Sequence, residues 1–118
     1  MGILADVAIA FVALLHAAFL VLEMFLWTKP LGLRLFRNTP EKAEMTRVLA
    51  ANQGLYNGFL AAGLAYGLVS GSQAFKVFFL ACVVVAGAYG AWSVSRRILW
   101  VQAAPAVAAL GLLLAASA

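Results

Sequence analysis

The sequence predicts an all-α integral membrane protein, a four-helix bundle, on three observations. Hydrophobic residues make up 66% of the chain and charged residues 10%, with a mean hydropathy of +1.03. An ordinary soluble domain is about half apolar and about a quarter charged, so this chain has too little charge to cover a water-facing globule. Its apolar residues fall into four long runs that lack the alternating ten-residue pattern of membrane strands, which selects helices over a barrel. A membrane helix takes about 20 apolar residues, so four of them use most of the 118 positions and leave short connections. A soluble globular domain, a disordered chain and a collagen-like fibre are excluded.

The first helix is expected over about Ile3 to Trp27. No Lys or Arg precedes it and its apolar run exceeds a signal-peptide core, so it reads as a retained span. The connection Thr28–Pro40 mixes Leu31, Leu33, Leu35 and Phe36 with Arg34 and Arg37, which suits a segment at headgroup level. Asn38-Thr39-Pro40-Glu41 reads as a helix start. Thr39 is the N-cap, Pro40 the first helical residue, and Glu41 and Glu44 lie near the positive helix end. The second helix then runs over 41–69 and becomes apolar near Val48. Connections at Ser70–Ala74 and Ser95–Arg97 bound a third helix over 75–94 and a fourth over 98–116. The whole chain, 1–118, is read as one transmembrane domain.

Basic residues set the expected orientation. Lys29, Arg34, Arg37, Lys42 and Arg47 flank the first connection, and Arg96 and Arg97 lie in the third, whereas Lys76 alone is near the second. By the positive-inside rule the first and third connections are cytoplasmic and both termini outside. Topology and anionic lipid account for this charge without a nucleic acid, and no nucleic-acid partner is expected. Cys82 forms no C-x-x-C motif and reads as a small buried hydrophobe. Gly54, Gly58 and Ala62 form one small-residue row on the second helix, and Gly63, Gly67 and Gly71 another roughly opposite. Such rows let helices approach closely, so a homo-oligomer through Gly54 and Gly58 or through Gly63 and Gly67 is expected.

The informative residues are polar groups inside these runs. His16 and Glu23 are seven residues apart, two turns, and share a face about 10 Å apart along the axis. Asn52, Gln53, Tyr56 and Asn57 occupy an arc of about 140° on the second helix, away from the Gly54/Gly58 row. Counted from the cytoplasmic ends, Glu23, Asn52 and Gln102 fall in one layer at a depth of about 6 Å, with His16 and Asn57 in a deeper one. Tyr89 joins the shallower layer. Pro105 lacks an N–H and so leaves the Val101 carbonyl as an acceptor beside Gln102.

Three functions compete for this region. The polar groups can satisfy one another and fix helix register, as in an accessory subunit of a larger complex, although interhelical hydrogen bonds in membranes average only about 0.6 kcal/mol. A carboxylate among amides can bind a cation or exchange a proton for a small lipophilic or cationic ligand, and ionisable residues in membrane helices are more often functional. Small four-helix exporters use a lone membrane glutamate this way, an analogy of size and helix count. Alternatively, His16 and Glu23 are acid and base of an isomerase-like enzyme, joined through a substrate or water chain, with Asn52, Gln53, Asn57 or Gln102 polarising a carbonyl. The favoured reading is ligand binding or proton-linked transport through a cytoplasm-facing pocket formed by His16, Glu23, Asn52, Gln53, Tyr56, Asn57 and Gln102. No H-E-x-x-H, Walker loop, nucleophile elbow or dinucleotide fingerprint occurs, so neither a metal site nor a cofactor is expected.

Several of these residues also carry a resemblance. Leu22-Glu23-Met24-Phe25-Leu26-Trp27 with Lys29-Pro30, then Phe36 and Thr39-Pro40, then Ala50-Ala51-Asn52-Gln53-Gly54-Leu55-Tyr56-Asn57-Gly58 resembles the bacterial membrane proteins called domain of unknown function 1304. Gln102 followed by Pro105-Ala106 is similar to that family's last motif. The resemblance implies a small, multi-pass, four-helix protein of the bacterial inner membrane. It also implies that Glu23, Asn52, Gln53, Tyr56, Asn57, Gln102 and His16 match family positions, with no catalytic role attached.

Overall fold

The computed structural model describes residues 2–117. Among them it has no strand and six α-helices: α1 Ile3–Met24, α2 Pro30–Leu35, α3 Pro40–Met45, α4 Arg47–Ser70, α5 Gln73–Ser93 and α6 Ala104–Ser117. A widened turn over Leu99–Ala103 leads into α6. Three stretches are long and apolar enough to cross a membrane: Ile3–Met24, Gln73–Ser93 and Leu99–Ser117. Much of their apolar surface points outward, with Leu14 71% and Trp92 82% exposed. A surface of that kind is a liability in water and suits lipid. At 24 residues α4 is long enough, but it is not among the three. Its Asn52, Gln53, Tyr56 and Asn57 lower its hydropathy.

Two boundaries differ from the sequence reading. α1 stops at Met24 rather than Trp27, because the chain turns there: Phe25 and Leu26 both donate to the Val21 carbonyl, and Lys29 donates to Leu26. The helix expected from Glu41 onward is broken at Thr46 into α3 and α4. The Thr46 hydroxyl donates back to the Lys42 carbonyl at 2.8 Å, and such back-bonding favours a bend. Thr39 caps α3, its side chain accepting from the Lys42 N–H at 3.1 Å, with Pro40 in the first turn.

The described chain divides into two compact units, Met1–Leu14 with Leu60–Ala118, and Leu15–Phe59. In the first, Ile9, Val12, Leu64, Leu80, Val83 and Leu113 form a core whose remaining positions are alanines, including Ala106 and Ala109. Gly87 allows a close approach beside this core: a Cβ added there would lie 2.7 Å from the Ala103 nitrogen, so α5 meets the widened turn almost backbone to backbone. In that turn Ala104 donates to Leu99, five residues back instead of four. The change of register stands immediately before Pro105, whose missing N–H interrupts the four-residue ladder. Lys76 Nζ donates to Asp6 Oδ1 at 3.1 Å and Gln73 Nε2 to Ser117 Oγ at 2.8 Å, so the starts of α1 and α5 and the end of α6 share one level.

In the second unit the first connection is a folded clamp. Gly32 is buried, and a Cβ there would overlap the Leu26 carbonyl oxygen, which no other side chain permits. Trp27 donates its indole N–H to Thr46 Oγ1 at 3.1 Å and its ring lies 4.8 Å from that of Phe36. Arg37 closes the loop with φ at 53°, a left-handed conformation costly for a side-chain-bearing residue.

Candidate functional site

The site is built on the closest approach in the second unit. Gly54 and Gly58 lie one turn apart on α4 and face α1. A Cβ at Gly58 would meet Leu20 Cδ1 at 2.5 Å, and one at Gly54 would meet Met24 Cγ at 2.7 Å and Glu23 Cβ at 3.1 Å. Residue 58 facing 20 and residue 54 facing 23 and 24 makes the two helices antiparallel. This glycine face brings α4 against Glu23. Asn57 then donates its Nδ2 to Glu23 Oε1 at 2.6 Å. Amide-to-carboxylate bonds of this sort are among the stronger neutral-to-charged contacts when the acid is ionised.

This pairing corrects the layer expected from depth alone. Counting residues from the helix ends groups Glu23 with Asn52 and Gln102, and Asn57 with His16. The structure joins Glu23 to Asn57 instead. Side chains on a helix lean toward its own N-terminus, so on antiparallel helices Glu23 and Asn57 lean toward each other.

The other predicted residues separate into three situations. His16 is fully buried on α1, with its ring edge-on to Phe19 at 5.1 Å. Seven residues of continuous helix keep it about 10 Å from Glu23 along the axis. Asn52, Gln53 and Tyr56 are exposed, Tyr56 packing only edgewise on Phe59 at 5.9 Å among its ring contacts. Their arc does face away from Gly54 and Gly58, and for that reason it faces away from α1 as well. Gln102 is partly buried and belongs to the other unit, inside the widened turn.

The glycine rows expected to join copies are used within the chain. Gly54 and Gly58 are taken by α1, Gly63 by the Phe79 ring and Gly67 by the stem of Lys76.

Sequence reasoning overlooked the Asp6–Lys76 pair. Lys76 is buried, and Asp6 lies in the first turn of a span. A charged residue of each sign within apolar runs was the available signal. The chemistry offered in the second unit is therefore compact: one carboxylate, one amide bonded to it, and one imidazole two turns away on the same helix. Such a set can hold a cation or accept and pass a proton. Among the described residues, no group of three or more His, Cys, Asp or Glu is arranged to hold a metal.

The family profile described as Protein of unknown function (DUF1304) matches residues 10–114, and the chain belongs to that family. No curated protein and no solved structure gives a significant match.

Proposed function

We propose that this family member is a multi-pass protein of the bacterial inner membrane that binds or moves a small lipophilic or cationic molecule at Glu23. The observation that carries the reading is the Asn57–Glu23 hydrogen bond, made where Gly54 lets α4 close on α1. Glu23 is the titratable centre, Asn57 orients its carboxylate, and His16 is the deeper proton partner. Asn52, Gln53 and Tyr56 offer further polar contacts from the outer face of α4.

Four crossings with both termini outside belong to this reading. The Asp6–Lys76 ion pair, which holds the starts of α1 and α5 at one level, supports a return crossing between Met24 and Gln73. Only α4 is long enough there among the described helices: 24 residues reach about 36 Å. The basic connections supply the orientation through the positive-inside rule.

The exposed amides support a second reading. Asn52 and Gln53 facing hydrocarbon would be costly, so a protein partner or a second copy covering α4 would relieve them.

Reconstituted liposomes test the first reading, with ethidium as a cationic probe and a pH-sensitive dye inside. Probe-dependent proton movement in the wild type, absent in Glu23→Gln, is expected. Chemical change of an added lipophilic substrate without any gradient would favour an enzyme. A co-purifying protein, with unaltered behaviour of Glu23→Gln, would favour the accessory reading.

A further inference from the structure

We infer that the cleft between the starts of α1 and α5 and the end of α6 is a second binding site, for a zwitterionic aminoethyl phosphate, the headgroup chemistry of phosphatidylethanolamine. The cleft holds about 210 Å³ and is lined by Asp6, Gln73, Lys76, Leu113 and Ser117. It is independent of Glu23 and lies wholly within the other unit.

Its walls carry both signs of charge in a defined order. Lys76 is 9% exposed, its aliphatic stem lying against Gly67, and its Nζ reaches Asp6 Oδ1 at 3.1 Å. The Asp6 side chain is half exposed, so the cation is the deeper charge and the carboxylate the outer one. Gln73 and Ser117 hold each other at 2.8 Å and the Ser117 hydroxyl donates to the Leu113 carbonyl, which ties the start of α5 to the end of α6 beside the pair. An isolated anion at this pair meets Asp6, and an isolated cation meets Lys76. A ligand with a phosphate and an ammonium joined by two carbons satisfies both. Its phosphate takes an N–H of Lys76, its ammonium donates to the outer Asp6 oxygen, and the four charges alternate.

Position argues for a lipid source. Asp6, Lys76 and Ser117 lie at the ends of the three stretches able to cross a membrane, which is where headgroups are. Charge-assisted N–H bonds also separate this ligand from close relatives. Choline has no N–H to give Asp6, and phosphatidylglycerol has no cation.

The test is native mass spectrometry of the full chain in detergent. Phosphatidylethanolamine, phosphatidylcholine and phosphatidylglycerol of one acyl composition are titrated separately, as is free phosphoethanolamine. Phosphatidylethanolamine is expected to bind at least tenfold more tightly than the other two lipids. Asp6→Asn and Lys76→Met should each abolish that preference. Because either change unpairs the ion pair and can weaken the fold, the exchange D6K/K76D is measured beside them. It keeps an ion pair but places the negative charge at the deep position, and the preference should disappear at retained thermal stability. Binding of free phosphoethanolamine with no preference among lipids would keep the ligand chemistry and move its source to solution. Equal affinity for the three lipids with no binding of free phosphoethanolamine overturns the inference. So does a preference that survives the charge exchange, which would leave Asp6–Lys76 as a tie between helices.

Discussion

Two glycine-to-alanine substitutions isolate the close approach on which the site depends. Gly111 lies in α6 with nothing within 4 Å of an added Cβ, whereas Gly54 would place its Cβ 3.1 Å from Glu23 Cβ and 3.2 Å from the Leu20 carbonyl oxygen. Both changes gain the same helix propensity, about 1 kcal/mol. At Gly111 that gain is unopposed, so Gly111→Ala should stabilise by up to about 1 kcal/mol. At Gly54 the Met24 side chain can swing away, but Glu23 Cβ and the Leu20 carbonyl are fixed to the α1 backbone, so α4 must retreat by a few tenths of an ångström. Overpacking of this kind costs about 1–3 kcal/mol. The difference between the two variants should therefore be about 1–3 kcal/mol, with propensity cancelled. Unfolding titrations in mixed micelles measure it. If Gly54→Ala proves as stabilising as Gly111→Ala, α4 does not close on α1 as described, and the Glu23–Asn57 bond loses its support.

Further substitutions examine the clamp at the first connection. Gly32→Ala should destabilise by about 3 kcal/mol in the same titration, because its Cβ meets the Leu26 backbone and no side chain can yield. Arg37→Gly should stabilise by about 0.5–1 kcal/mol, since φ at 53° suits glycine. Thr39→Ala removes the cap on Lys42 N–H and should cost about 1 kcal/mol, seen as faster hydrogen exchange at Lys42 and its neighbours in α3. Trp27→Phe keeps a ring beside Phe36 but loses the bond to Thr46, at a cost of about 0.5–1.5 kcal/mol, readable from thermal melts.

Local signals in the sequence carried well into the structure, and long-range ones did so unevenly. Thr39 and Pro40 announce the start of α3 because capping chemistry is decided within four residues. Helical spacing also placed Asn52, Gln53 and Tyr56 opposite the Gly54/Gly58 row. Spacing within one helix does not say which face a neighbour takes, however. The neighbour is on the glycine side, so these three residues face outward while Asn57, about 60° from Gly54, reaches Glu23. The polar residues of α4 make it the least apolar of the four long helical stretches, so three of the four spans expected from the sequence are long and apolar enough to cross a membrane, and the return crossing through α4 stays part of the proposed reading. Gly32 and the clamp were illegible because they depend on one backbone touching another, which leaves no pattern beyond a single glycine.

Native mass spectrometry with small-molecule extraction, on wild type and Glu23→Gln, tests the central proposal most directly. Gln at position 23 can still accept from Asn57, so the fold should hold while the acid is lost. A specific small molecule, distinct from bulk phospholipid, should be retained by the wild type and absent from the variant. Identical extracts from both chains, together with a markedly lower melting temperature for Glu23→Gln, would contradict it and leave the carboxylate a structural group.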